Sequence, residues 1–154
     1  MEDDGAKAKE CALRRLCARA YASFEMAAYL KKKGYEEPII DQTVRELTQQ
    51  GFINDTEWLE AFARSQLRKR QGPRLTAAKL RQRGAGSAMV AKSAELMRGS
   101  GAQEEQLAAL IQAKEQRGTI VEGKEEQKLI ASLMRKGFDF SAIREALEQH
   151  KRDR

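Results

Sequence analysis

Aromatic residues make up only 6% of this 154-residue chain, which also holds just two prolines, two cysteines and one histidine. A chain of this length removes only about two-thirds of its surface from water on folding, so with few aromatics the core is expected to be thin. The cysteines, Cys11 and Cys17, fall in one expected helix, about 120° apart around its axis, which excludes a mutual disulfide or a shared metal. Both read as reduced core or boundary residues. No apolar run reaches the roughly 18 residues of a membrane-spanning helix, and Met1-Glu2-Asp3-Asp4 is acidic where a secretory signal is basic and then apolar. A cytoplasmic protein without membrane contact is expected.

Chemistry is equally sparse. Acid–base or nucleophilic catalysis needs a base beside a nucleophile, or two differently tuned carboxylates, in a pocket. The single histidine, His150, lies near the end of the chain on what reads as a fraying, exposed last turn. The chain has no GxxxxGK[ST] loop, no HExxH and no Cys or His pair at zinc spacing. No enzyme, catalytic residue, metal or cofactor is expected.

What is present in quantity is Ala, Leu, Glu, Lys, Arg and Gln, the residues that lose least on entering a helix, which points to an all-α fold. Apolar spacing marks a first helix from about Ala6 to Ala20, carrying Leu13, Leu16, Cys17 and Ala20. A second begins at Ser23 as N-cap, carries Met26 and Leu30 and stops at Gly34. Pro38 fits the first turn of a third, with Ile40, Val44 and Leu47 on one face before Gly51. Asn54 and Glu57 have capping-box spacing and open a helix through Trp58, Leu59, Phe62 and Leu67 to Arg68-Lys69-Arg70. Gly72-Pro73 starts the next helix, which ends at Gly84, and Ser87 caps one bearing Val90, Ala94 and Met97. Helices follow at about Gln103 to Arg117 and Glu125 to Lys136, and after Gly137 a last one bears Ile143 and Leu147.

Three of these glycines align: Leu30-Lys31-Lys32-Lys33-Gly34, Leu80-Arg81-Gln82-Arg83-Gly84 and Leu133-Met134-Arg135-Lys136-Gly137. Six positions beyond each come Ile40, Val90 and Ile143, and ten beyond come Val44, Ala94 and Leu147. Helix, turn and helix therefore recur in phase, at the period of a small module stacked in a row. The expected architecture is an elongated array of three tandem three-helix units, at residues 1–51, 52–98 and 102–150, with a monomer as the expected state.

Acidic residues are missing from one long stretch. Residues 61–94 contain Arg64, Arg68, Lys69, Arg70, Arg74, Lys79, Arg81, Arg83 and Lys92 and no Asp or Glu, whereas residues 36–60 carry seven acids and one arginine. A face kept soluble for its own sake mixes both signs, so this one reads as a contact surface for a phosphate backbone or an acidic protein groove. Arg64 and Arg68 lie roughly opposite Trp58 and Phe62, so burying the aromatics turns the arginines outward. No aromatics interleave the patch, which argues against a base-stacking platform. The candidate binding residues are Arg64, Arg68, Lys69, Arg70, Arg74, Lys79, Arg81 and Arg83. Lys31-Lys32-Lys33 with Arg14, Arg15 and Arg19 form a weaker second patch. The third unit, whose charges cancel, reads as scaffold or protein contact.

The stretch GFINDTEWLEAFARSQLRKRQGPRLTAAKLRQRG, Gly51 to Gly84, resembles the RecX family of bacterial recombinase regulators through Gly51, Phe52, Asp55, Trp58, Phe62, Arg64, Arg68, Gly72, Pro73, Leu80 and Gly84. LCARAYASFEMAAYLKKKG and EEQKLIASLMRKGFDFSAIREAL are similar to the family's first and third units, while Thr76 departs from the branched aliphatic usual at its position. The resemblance implies a three-unit helical array that binds the RecA–single-stranded DNA filament in its groove and limits filament extension, ATPase, strand exchange and coprotease activity. Weak non-specific contact with single- and double-stranded DNA would accompany it. A rival from the residues alone is a free-standing helix-turn-helix DNA-binding regulator, against which stand the single basic patch and the lack of a dimerisation helix.

Overall fold

The computed structural model describes residues 2–118, 120 and 122–153, and among them every regular element is an α-helix. In chain order these are α1 (Glu2–Leu16), α2 (Ser23–Lys32), α3 (Glu37–Gln49), α4 (Asp55–Arg68), α5 (Pro73–Arg83), α6 (Ser87–Gly99), α7 (Ala102–Arg117), α8 (Lys124–Arg135) and α9 (Phe140–Arg152). The chain divides into two compact units, Met1–Ala61 with Arg83–Gly86, and Phe62–Gln82 with Ser87–Arg154.

In the first unit α1, α2 and α3 pack on one another around Ala8, Ala12, Tyr21, Met26, Leu30, Ile40, Leu47 and Ile53. The first helix stops four residues before its alanine-rich continuation suggests. Tyr21 and Ala22 are buried, so the chain must turn after Leu16 to bring them into the core, and packing overrides the helix propensity of Ala18 and Ala20. Arg19 secures the turn by donating to the Ala20 carbonyl at 2.9 Å and stacking 3.7 Å over the Tyr21 ring. Cys17 is consequently exposed beyond the helix, while Cys11 is half-buried and donates to the Tyr29 hydroxyl.

Ser23 does not cap α2. It is the first helical residue, and the Ala22 N–H before it donates to Glu25 Oε1 at 3.1 Å. The Ser23 N–H and hydroxyl both go to the Asp55 carboxylate, the N–H at 2.7 Å, which ties the start of α2 to the start of α4. Phe24 and Trp58 meet edge to face beside that link, with ring centroids 5.6 Å apart. The Asn54 cap is as expected, its side-chain oxygen accepting the Glu57 N–H at 3.1 Å. The buried stripe of α4 is Leu59, Ala63 and Gln66, with Trp58 and Phe62 only half-buried.

The second unit has its main core in the last three helices, around Leu107, Ile111, Leu129, Leu133, Phe138, Ile143 and Leu147. On α5 and α6, outside that cluster, Ala77, Leu80, Val90 and Met97 are also buried. Thr76 is fully buried, and its hydroxyl is satisfied by the Gly72 carbonyl at 2.9 Å. His150 is half-buried inside α9, not frayed, and its Nε2 lies 3.6 Å from a Glu115 carboxylate oxygen on α7.

The internal repeat is present in the backbone. Gly34, Gly84 and Gly137 share φ values of 95°, 97° and 93°, and α3, α6 and α9 each begin three residues later. The downstream aliphatics match less closely. Ile40, Val90 and Ile143 are all buried, but Val44 and Ala94 are only half-buried, and their place is taken one residue earlier by Thr43 and Ser93. These two hydroxyls turn back onto the carbonyls of Ile39 and Val90, at 2.7 and 2.6 Å. Only the third copy buries its aliphatic ten positions on, Leu147, so its last helix is rolled relative to the other two.

Candidate functional site

The basic stretch occupies the end of α4, the turn after it and α5. Arg64, Arg68, Lys69, Arg70, Arg74, Arg81 and Arg83 are all exposed, and Lys79 is half-buried. Lys79 points into the α4–α5 hairpin, donating to the side-chain oxygens of Gln66, at 3.3 Å, and Gln71. Arg83 groups with the first unit and the other seven with the second.

The turn itself carries strain. Arg70 has φ of 59°, and among the described residues it is the one non-glycine with positive φ. Its N–H donates to the Leu67 carbonyl and the Gln71 N–H to the Gln66 carbonyl, both at 2.9 Å. This pairing closes a helix in a Schellman turn, and Gly34, Gly51 and Gly137 hold the equivalent left-handed position elsewhere in the chain. A side chain there costs about 1–2 kcal/mol. Arg70→Gly is therefore expected to stabilise the protein by about 1 kcal/mol, read as a higher urea midpoint, while weakening whatever the guanidinium binds.

A backbone clamp fixes where this turn lies within the second unit. The Gly72 N–H donates to the Lys136 carbonyl at 2.7 Å, and the Arg74 N–H to the Gly137 carbonyl at 2.9 Å. The approach leaves no room for side chains, since a Cβ on Gly72 would fall 2.6 Å from the Gly137 backbone. Arg70 is thereby held at a groove of about 820 Å³ between α7 and α8, whose lining includes Lys114, Arg117, Lys128 and Lys136 with Glu125. Charge counting along the sequence misses these four cations because the acids of α7 and α8 cancel them in the sum. Their spacing carries the signal: Lys114 and Arg117 are three apart at the end of α7, and Lys128 and Lys136 eight apart on and just beyond α8, so each pair shares a helix face.

On the other side of the clamp, Arg74 and Arg81, two turns apart on α5, line a second groove with α6 and the end of α8. Arg98 and Arg135 also line it, and the lining includes no acid. Arg98 is already engaged, its Nε and Nη2 each donating to the Asp139 carboxylate at 2.8 Å. Gln103, almost wholly buried, completes the arrangement: its amide donates to Asp139 Oδ2 at 3.1 Å and accepts the Asp139 N–H at 2.9 Å.

The Arg98 hydrogen bonds hold the Asp139 carboxyl below its ordinary range, with Gln103 and the Arg74 charge acting the same way against desolvation. A depressed folded-state pKa contributes stability that is present above the unfolded value, near 3.9, and is lost as pH falls through the folded value. Wild-type protein is therefore expected to lose more stability than Asp139→Asn on acidification below about pH 4. Urea midpoints measured against pH check this, and parallel curves would contradict it.

Comparison with known proteins bears on these features. Residues 8–47 match the family description "RecX, first three-helix domain", and residues 102–147 match "RecX, third three-helix domain". The chain is 30% identical over 143 residues to Regulatory protein RecX of Mycolicibacterium vanbaalenii, covering 88% of this chain and 77% of that one. It is also 30% identical to Regulatory protein RecX of Chlorobaculum tepidum, covering 95% of this chain and 91% of the relative. The crystal structure of RecX from Lactobacillus salivarius has the same fold, with a TM-score of 0.82 at 21% identity over 97% of both chains.

Proposed function

The chain belongs to the RecX family, and from that premise we propose that it is a negative regulator of RecA. In this reading it acts as a cytoplasmic monomer that binds in the groove of the RecA–single-stranded DNA filament. There it limits filament extension and, through it, ATPase, strand exchange and coprotease activity. The observation that carries the reading is the exposed, acid-free run of cations from the end of α4 through the following turn and along α5, on a chain whose relatives are named regulatory proteins. Regulation by occupancy needs a surface and no reacting groups, and this surface offers charge without a nucleophile–base pair.

The test is a RecA ATPase assay on single-stranded DNA with the protein titrated in, beside gel shifts on random single-stranded and duplex DNA. Inhibition well below the protein concentration that shifts bare DNA is expected. Sequence-dependent duplex binding with an unchanged ATPase would overturn the reading in favour of a free-standing DNA-binding regulator.

A further inference from the structure

The two grooves flanking the clamp differ in the sign of their rims: Glu125 stands among the cations of the α7–α8 groove, whereas the α5–α6 groove, about 770 Å³, has no acid in its lining and has apolar surface open to solvent. Ala78 and Ala91 are exposed in it, Leu75 and Ala94 half-buried, and Met134 is 39% exposed. Around that floor stand Arg74, Arg81 and Arg135, none in an ion pair among the described residues, while Asp139 occupies Arg98.

We infer that this groove docks an acidic, amphipathic helical segment of a protein partner. The inference rests on the RecA-regulator reading only in naming which protein supplies the segment. A phosphate backbone uses charge alone and gains nothing from exposed methyl groups and a methionine, and no aromatic lines the groove to stack a base. An amphipathic helix uses both features: its apolar stripe covers the floor while its carboxylates meet the rim. Alanines at positions 78, 91 and 94 let a helix backbone approach closely. Arginine suits the rim because its planar fork binds a carboxylate through two parallel hydrogen bonds. Arg74 and Arg81 are about 10 Å apart along α5, which matches two turns of an incoming helix. The apolar floor thus selects for helical protein, and the acid-free rim for its sign.

The probe is a fluorescein-labelled 14-residue helical peptide with leucines at helical spacing flanked by glutamates. It is titrated with the full chain beside a lysine-for-glutamate counterpart and a labelled single-stranded oligonucleotide. Saturable binding of the acidic peptide alone among the two peptides is expected. Ala91→Trp, which fills the groove at an exposed position, and Arg81→Glu should each weaken it about tenfold or more, with Ala91→Trp leaving oligonucleotide binding unchanged. Circular dichroism of both variants checks the fold. Absence of peptide binding, indifference to Ala91→Trp, or loss of oligonucleotide binding in that variant would overturn the docking site. The same variants in the RecA ATPase assay separate the two readings. Peptide binding without any inhibition by wild-type protein sinks the RecA reading and leaves the groove standing, and inhibition with no peptide binding does the reverse.

Discussion

Gly137→Ala is expected to destabilise the protein by about 3 kcal/mol and to lower its thermal midpoint by roughly 10 °C. Two costs combine. The residue has φ of 93°, where any side chain pays about 1–2 kcal/mol. Its new Cβ would also lie 2.4 Å from both the backbone nitrogen and the Cβ of Leu75, and neither atom is the free end of a flexible side chain. Overpacking of that kind adds typically 1–3 kcal/mol. The clamp would have to open, and with it the hydrogen bonds from Gly72 to Lys136 and from Arg74 to Gly137. Gly34→Ala and Gly84→Ala are the matched controls. Their φ values are nearly the same, but nothing lies within 4 Å of an added Cβ at either, so each should cost only the conformational term. Thermal melts of the three variants compare them, and equal losses at all three positions would show that the clamp contributes nothing.

The same three glycines show how far the sequence can be read. Their left-handed backbone and the helix starts behind them follow from local chemistry: a residue without Cβ after a leucine-anchored helix end, with a new helix beginning within a turn. That information is contained in a handful of neighbouring residues and is legible. What distinguishes Gly137 from Gly34 is the arrival of Gly72 and Leu75 from more than sixty positions away, and no local pattern announces it. The end of α1 fails for the same reason, because Tyr21 is claimed by a core that includes Met26 and Leu30 of α2 and Ile40 and Leu47 of α3. Thr43 and Ser93 were concealed by their polarity, although each hides its hydroxyl on its own helix and packs as a small apolar residue.

For the site, composition was informative about sign and position but silent about grouping. An acid-free run along the chain identified the cations from Arg64 to Arg83, and seven of the eight are exposed. It could not show that Lys79 turns inward to Gln66 and Gln71, nor that Arg70 and Arg74 face different grooves. Nor could it recruit Lys114, Arg117, Lys128 and Lys136, whose charges vanish when summed with those of Glu104, Glu105, Glu125 and Glu126. Net charge per segment averages over helix faces, and a partner meets one face at a time.

On the proposed reading as a RecA regulator, reversing Arg68, Lys69 and Arg70 to glutamate should abolish inhibition of RecA, raising the concentration for half-inhibition by roughly 100-fold or more, equivalent to about 3 kcal/mol. Three reversals of two charges each take the chain from +6 to 0, and they place carboxylates at the C-terminal end of α4, where the helix dipole already favours cations. That second effect destabilises the helix end by several tenths of a kcal/mol per residue, so helical content by circular dichroism must be followed alongside. The neutral variant Arg68→Ala, Lys69→Ala, Arg70→Gly removes the ambiguity. It deletes the charges and introduces no unfavourable ones, and relief of the left-handed strain at Arg70 offsets the loss of cations at the helix end, so it should be close to wild type in stability while inhibiting poorly. Salt then tells what these side chains meet. Against phosphates, log affinity falls with log salt by about 0.7 for each contact on a single strand and 0.9 on a duplex, and the neutral variant should show a shallower slope by those amounts. Against carboxylates of a protein groove there is no condensed counterion layer to release, so the variant should lose affinity with little change of slope. Full inhibition by the neutral variant would remove the turn from the interface and leave α5 as its centre.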